Sequence, residues 1–140
     1  MRGGDPVLTS TFRLLTAACP DRVWGVLTCP DAAPRYLHGL SPKTCWSNGA
    51  PVEWQTAGVA PIPGQVLHVD PPYRLSITVE DDSGVSTYLT WTLRAADAGT
   101  VVTLRVDEAD PSGGSETDLE DVWLPVLDRL GALLQEEQRS

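Results

Sequence analysis

Four stretches between residues 65 and 109 alternate apolar and polar side chains, and the gaps between them are too short to hold a helix. They are QVLHVD (65–70), YRLSITVE (73–80), VSTYLTWTLR (85–94) and TVVTLRVDEA (100–109). A period of two residues puts alternate side chains on opposite faces of a strand. In the third stretch Val85, Thr87, Leu89, Trp91 and Leu93 fall on one face, and Ser86, Tyr88, Thr90, Thr92 and Arg94 on the other. The second places Leu75, Ile77 and Val79 opposite Arg74, Ser76, Thr78 and Glu80, and the fourth turns Val102, Leu104 and Val106 inward. Pro71 and Pro72 cannot donate to a ladder, so they mark the turn of a hairpin. DDSG (81–84) and AADAG (95–99) supply the next two turns. VEWQT (52–56) and LTSTFRLL (8–15) are two further strand candidates, with Phe12 and Leu14 pointing to the core. The pattern predicts about six strands in an antiparallel meander with one buried face.

Something long must cover that face, and the C-terminal segment is the only candidate. Leu119, Val122, Trp123, Val126, Leu127, Leu130, Leu133 and Leu134 form one helical stripe over about 115–137. Ser115 with Asp118 resembles a capping box, and Pro125 predicts a kink near Asp121. Two short helices are expected after the first strand. CPDRVWGVL (19–27) opens with Pro20 at a first helical position and turns Val23, Trp24 and Leu27 to one side. PDAAPRYLHG (30–39) is limited by Pro34 and stops at Gly39.

Length and charge narrow the function classes. A chain of 140 residues fits a single domain, with a core over about 8–136. Its ten Lys and Arg residues are scattered and its formal net charge is -9, which argues against a nucleic-acid partner. Asp107, Glu108, Asp110, Glu116, Asp118, Glu120 and Asp121 gather the acids around the start of the last helix, where they favour its dipole. The opening MRGGDPVLTS carries no apolar signal segment and no run long enough to span a bilayer, so a cytoplasmic protein with no membrane insertion is expected. Cys19, Cys29 and Cys45 follow no metal spacing and read as free thiols. His38 and His68 are the only histidines, so a His-rich metal centre is excluded; no metal or cofactor is expected. Phosphate-binding glycine loops and a GxSxG elbow are absent.

Several fragments in this order resemble the START-like, or SRPBCC, superfamily, in its branch related to the activator of the heat-shock protein 90 ATPase. They are Pro20 with Val23-Trp24 and Leu27-Thr28, Gly64 with Asp70-Pro71-Pro72 and Arg74-Leu75, Trp91 with Gly99-Thr100, and Trp123. The resemblance spans about residues 8–136. It implies an α+β helix-grip fold, a curved antiparallel sheet wrapped around the long C-terminal helix with a cavity between them. Tyr36 stands where relatives commonly carry Trp, and Pro34 interrupts the second helix, so the shape of the entrance is not carried over. Chaperone activation in the named relatives depends on an additional N-terminal domain and is not carried over either.

The resemblance implies no universal catalytic motif. Binding of a small hydrophobic ligand, lipid-like or aromatic, is the reading preferred. The cavity-lining candidates are Phe12, Tyr36, Trp46, Trp54, Leu75, Ile77, Leu89, Trp91, Val102, Leu104, Trp123 and Leu127. A cyclase- or hydrolase-like enzyme of the same fold is the alternative, with Glu53, His68, Tyr88, His38 and Cys45 as its polar candidates. A regulatory or protein-interaction module is the third, with the acidic 107–121 segment as its contact.

Overall fold

The computed structural model describes residues 7–29, 31–37, 39–56, 58, 60–80, 86–109 and 116–139. The elements run β1 (Val7–Thr16), α1 (Pro20–Leu27), α2 (Ala33–Tyr36), β2 (Ser41–Lys43), β3 (Pro51–Gln55), β4 (Ile62–Asp70), β5 (Arg74–Glu80), β6 (Ser86–Ala96), β7 (Gly99–Ala109) and α3 (Glu116–Arg139). All strands join one antiparallel sheet in the order β1-β7-β6-β5-β4-β3-β2. The sheet therefore has seven strands and not six. The addition is β2, which lies between the predicted second helix and the VEWQT strand. Three residues are too few to show alternation, and Pro42 is tolerated because β2 is an edge strand.

The double proline turns the chain between β4 and β5 as predicted. The Pro71–Pro72 peptide is cis, the Tyr73 N–H donates to the Asp70 carbonyl at 2.8 Å, and the Tyr73 carbonyl accepts from Leu93 N–H on β6 at 2.8 Å. β4 departs from simple alternation. A bulge between Val66 and His68 lets Val66 face Ile77 and Val69 face Leu75, and leaves Leu67 and His68 both exposed. Where β6 turns into β7, Gly99 has φ +146°, and a Cβ there would run into the Thr16 carbonyl at the end of β1.

α1 begins with Pro20 in its first turn and buries Val23, Val26 and Leu27. The second helix is shorter than predicted, one turn in place of 30–39. Pro34 lies in its first turn, where a missing N–H costs nothing, and the Gly39 N–H, at φ +86°, closes on the Pro34 carbonyl at 3.1 Å. α3 runs for 24 residues with Pro125 inside it. It packs on β1, α2 and α1, burying Val126, Leu127, Leu130, Leu133 and Leu134. A Cβ at Gly131 would meet Leu14 Cδ1 at 3.2 Å, which records how closely α3 and β1 approach. Ser115, His38, Val85 and residues 81–84 lie outside the described residues, as do the side chains of Leu119 and Val122 and most of the acidic 107–121 segment. Among the described residues, no helix is long and apolar enough to cross a membrane.

Candidate functional site

Strand register assembles the inner face of the sheet into apolar rows. Val69, Leu75, Trp91, Leu104 and Phe12 are successive partners across β4, β5, β6, β7 and β1. Val66, Ile77, Leu89 and Val106 form the next row. α3 and the two short helices lie over this face, so the rows and the helix stripe share one apolar layer. Ten of the predicted lining residues are buried within that layer: Phe12, Tyr36, Trp54, Leu75, Ile77, Leu89, Trp91, Val102, Leu104 and Leu127. Trp46 and Trp123 are half-buried and pack against it. Val23, Leu37, Val52 and Val66 belong to the same layer but were not named as lining. For Val66 the usable signal, alternation along β4, was scrambled by the bulge.

The polar atoms of the aromatic residues have different fates. Tyr36 is wholly buried, and its hydroxyl donates to the Leu27 carbonyl at 3.0 Å. That carbonyl ends α1 and has no partner within the helix, so the phenol closes the helix while joining α1 to α2. Burial pushes the Tyr36 phenol well above its ordinary value, with nearby Cys29 adding to the shift. It therefore stays a protonated donor. Its ring meets Trp91 edge to face, with centroids 6.4 Å apart and planes at 86°. The Trp54 indole N–H donates to the Thr78 carbonyl at 2.9 Å, reaching from β3 past β4 to β5. Only a glycine lets it pass: a Cβ at Gly64 would strike the Thr78 carbonyl and lie 2.6 Å from Trp54 Nε1. The Trp91 indole N–H meets no acceptor among the described residues.

Residues 17–135 match the family model described as "Activator of Hsp90 ATPase homolog 1-like protein". The chain belongs to that family. No curated protein sequence matches it. Among solved structures it is similar to MLL2253 from Mesorhizobium loti, with TM-score 0.76 and 18% identity over 91% of this chain and 97% of that one. CalU16 from Micromonospora echinospora is similar at TM-score 0.70 and 20% identity, covering 97% of this chain and 88% of the other. DynU16, from the dynemicin biosynthetic locus, is similar at TM-score 0.71 and 22% identity over 94% of this chain and 48% of that one. At these identities the likeness shows the fold alone, a curved antiparallel sheet with a long C-terminal helix.

Of the polar residues considered for catalysis in this member of the family, His38 lies outside the described residues and the other four are exposed on different elements. Glu53 is exposed on β3, where it accepts from the Gln55 side-chain amide at 2.9 Å. Tyr88 is exposed on the outer face of β6, His68 is exposed just after the β4 bulge, and Cys45 is exposed in the loop after β2. Among the described residues, no group of three His, Cys, Asp or Glu side chains could hold a metal ion. Trp46, in that same loop, has φ +56°, a left-handed conformation that costs a bulky residue about 1–3 kcal/mol. It borders a surface cleft of about 410 Å³ with Asp31, Lys43 and Gln55.

Proposed function

We propose that this protein binds a small hydrophobic molecule between the inner face of the sheet and α3. The observation that carries the reading is the chemical uniformity of that layer. Two aligned apolar rows on the sheet face an apolar stripe on the helix, and the described buried polar side chains are only Thr16, Ser76, Thr78 and Thr100. Ligand chambers are mostly apolar with few polar groups. The scatter of Glu53, His68, Tyr88 and Cys45 over separate surfaces supports binding over catalysis, since acid–base chemistry requires groups within reach of one substrate. The origin of DynU16 in a biosynthetic locus supports including biosynthetic products among the compounds tried.

A thermal-shift screen against fatty acids, sterols, isoprenoids, aromatic polyketides and flavonoids tests the reading. Ligand at a hundredfold its Kd stabilises a fold by ~2.7 kcal/mol, a rise in Tm of roughly 4–8 °C for a small domain. A dose-dependent shift from one class is the expected result. Flat melting curves for every class would overturn the proposal.

A further inference from the structure

Trp91 carries a buried hydrogen-bond donor that meets no acceptor among the described residues. The residue is 3% exposed, and no described residue presents an acceptor to its Nε1–H. Buried donors in native proteins are almost always paired, and one left unpaired carries its full desolvation cost until an acceptor arrives. The other polar atoms in this layer are already engaged. Tyr36 donates to Leu27, and Trp54 donates to Thr78. Thr100 donates to the Ala18 carbonyl at 2.7 Å, and the Thr16 hydroxyl accepts from Ala18 N–H at 3.3 Å. On the opposite face of β5 the buried Ser76 and Thr78 hydroxyls are bonded too, to Thr90 and to the Gln65 N–H.

Position makes the vacancy informative. Trp91 is the middle residue of the row Val69–Leu75–Trp91–Leu104–Phe12, where α1 packs on β6, the Tyr36 ring of α2 meets the indole, and α3 lies over β1 at the end of the row. An acceptor reaching it would come from a molecule lying between sheet and helices. Among the described residues no charged side chain is buried there.

We propose that the Trp91 indole N–H is the polar anchor of the ligand, and that the ligand is a neutral, largely apolar molecule with a carbonyl or ether oxygen, such as an aryl ketone. The inference rests on the hydrophobic-ligand reading above. A hydrocarbon of the same shape would leave the donor unpaired. A carboxylate would carry a charge into a layer that offers no described cation.

Three probes of matched size separate these cases: 2-acetylnaphthalene, 2-isopropenylnaphthalene and 2-naphthoate. Calorimetric titration of the wild type is expected to rank the ketone roughly tenfold tighter than the alkene, the gain of one buried hydrogen bond, with the carboxylate weakest. Trp91→Phe keeps an aromatic ring but lacks the N–H, and should erase the preference for the ketone. In ¹H–¹⁵N spectra the ketone should move one indole proton downfield, the resonance missing from Trp91→Phe. Should that variant fail to fold, the wild-type ranking and the indole shift, with the Trp91 indole assigned sequentially in the ¹³C,¹⁵N-labelled wild type, decide the matter. Equal affinity for ketone and alkene, or movement of a different indole, overturns the anchor and leaves the hydrophobic-ligand reading standing. So does failure of all three probes while another class in the thermal screen binds. If no class binds at all, both readings fall together.

Discussion

Two tryptophans on one side of the sheet are used in opposite ways. At the corner where β3, β4 and β5 meet, Trp54 is buried, lies over Gly64, and gives its N–H to the Thr78 carbonyl. In the central row, Trp91 is as deeply buried and gives its N–H to no described residue. Residue type and depth are the same, so neither distinguishes a structural aromatic from one available to a ligand. The hydrogen-bond account does. The Trp54 donor is satisfied internally and ties β3 to β5, whereas the Trp91 donor meets no described acceptor, which is the difference the proposed anchor rests on.

Substitutions can break or sharpen this contrast. The largest effect is expected from Gly64→Val, whose Cβ would collide with the Thr78 carbonyl and displace the Trp54 indole. Overpacking and a lost buried bond together should cost about 3–5 kcal/mol in urea unfolding. A cost below about 1 kcal/mol would mean the corner is loose and Trp54 is no staple. Next comes the direct comparison. Trp54→Phe leaves the Thr78 carbonyl without its partner, while Trp91→Phe removes a donor that has no described acceptor. The first should therefore be more destabilising than the second by about 1–3 kcal/mol; equal losses would erase the distinction.

Tyr36→Phe tests the neighbour that closes α1, and should cost about 1–2 kcal/mol near neutral pH. Its pH dependence has a definite sign. Burial raises the phenol's folded value above the ordinary ~10, so its stabilising share is complete below about pH 10 and is lost as pH climbs further. Urea midpoints from pH 8 to 11 should fall more steeply for the wild type than for Tyr36→Phe. The smallest effect belongs to Gly131→Ala. Helix propensity favours the change by about 1 kcal/mol, and Leu14, half-buried, must yield a few tenths of an ångström. A net gain of about 0.5 kcal/mol is expected, and a loss above 1 kcal/mol would show that β1 cannot give way beneath α3.

Much of this architecture was legible in residue order alone, because it follows from local periodicity. Period-two alternation in residues 73–80, 85–94 and 100–109 marked β5, β6 and β7 and the inward residues Leu75, Leu89, Trp91 and Leu104. Period 3.6 over the last segment marked α3 and its buried stripe, and the double proline marked the β4–β5 turn. Where no period is long enough to register, residue order was silent: β2 is three residues long, α2 is a single turn, and the β4 bulge shifts His68 away from the face of Val66. The remaining features join residues far apart in the chain. Trp54 meets Thr78 past Gly64, Tyr36 meets Leu27 and Trp91, and Gly131 meets Leu14. Alternation could place Trp54 and Trp91 inside, because burial follows from hydrophobicity and spacing, whereas Tyr36 on the single-turn α2 was named only through the family resemblance. Which indole N–H finds an acceptor depends on strand register and on the path of neighbouring backbone, and only the tertiary structure decides that.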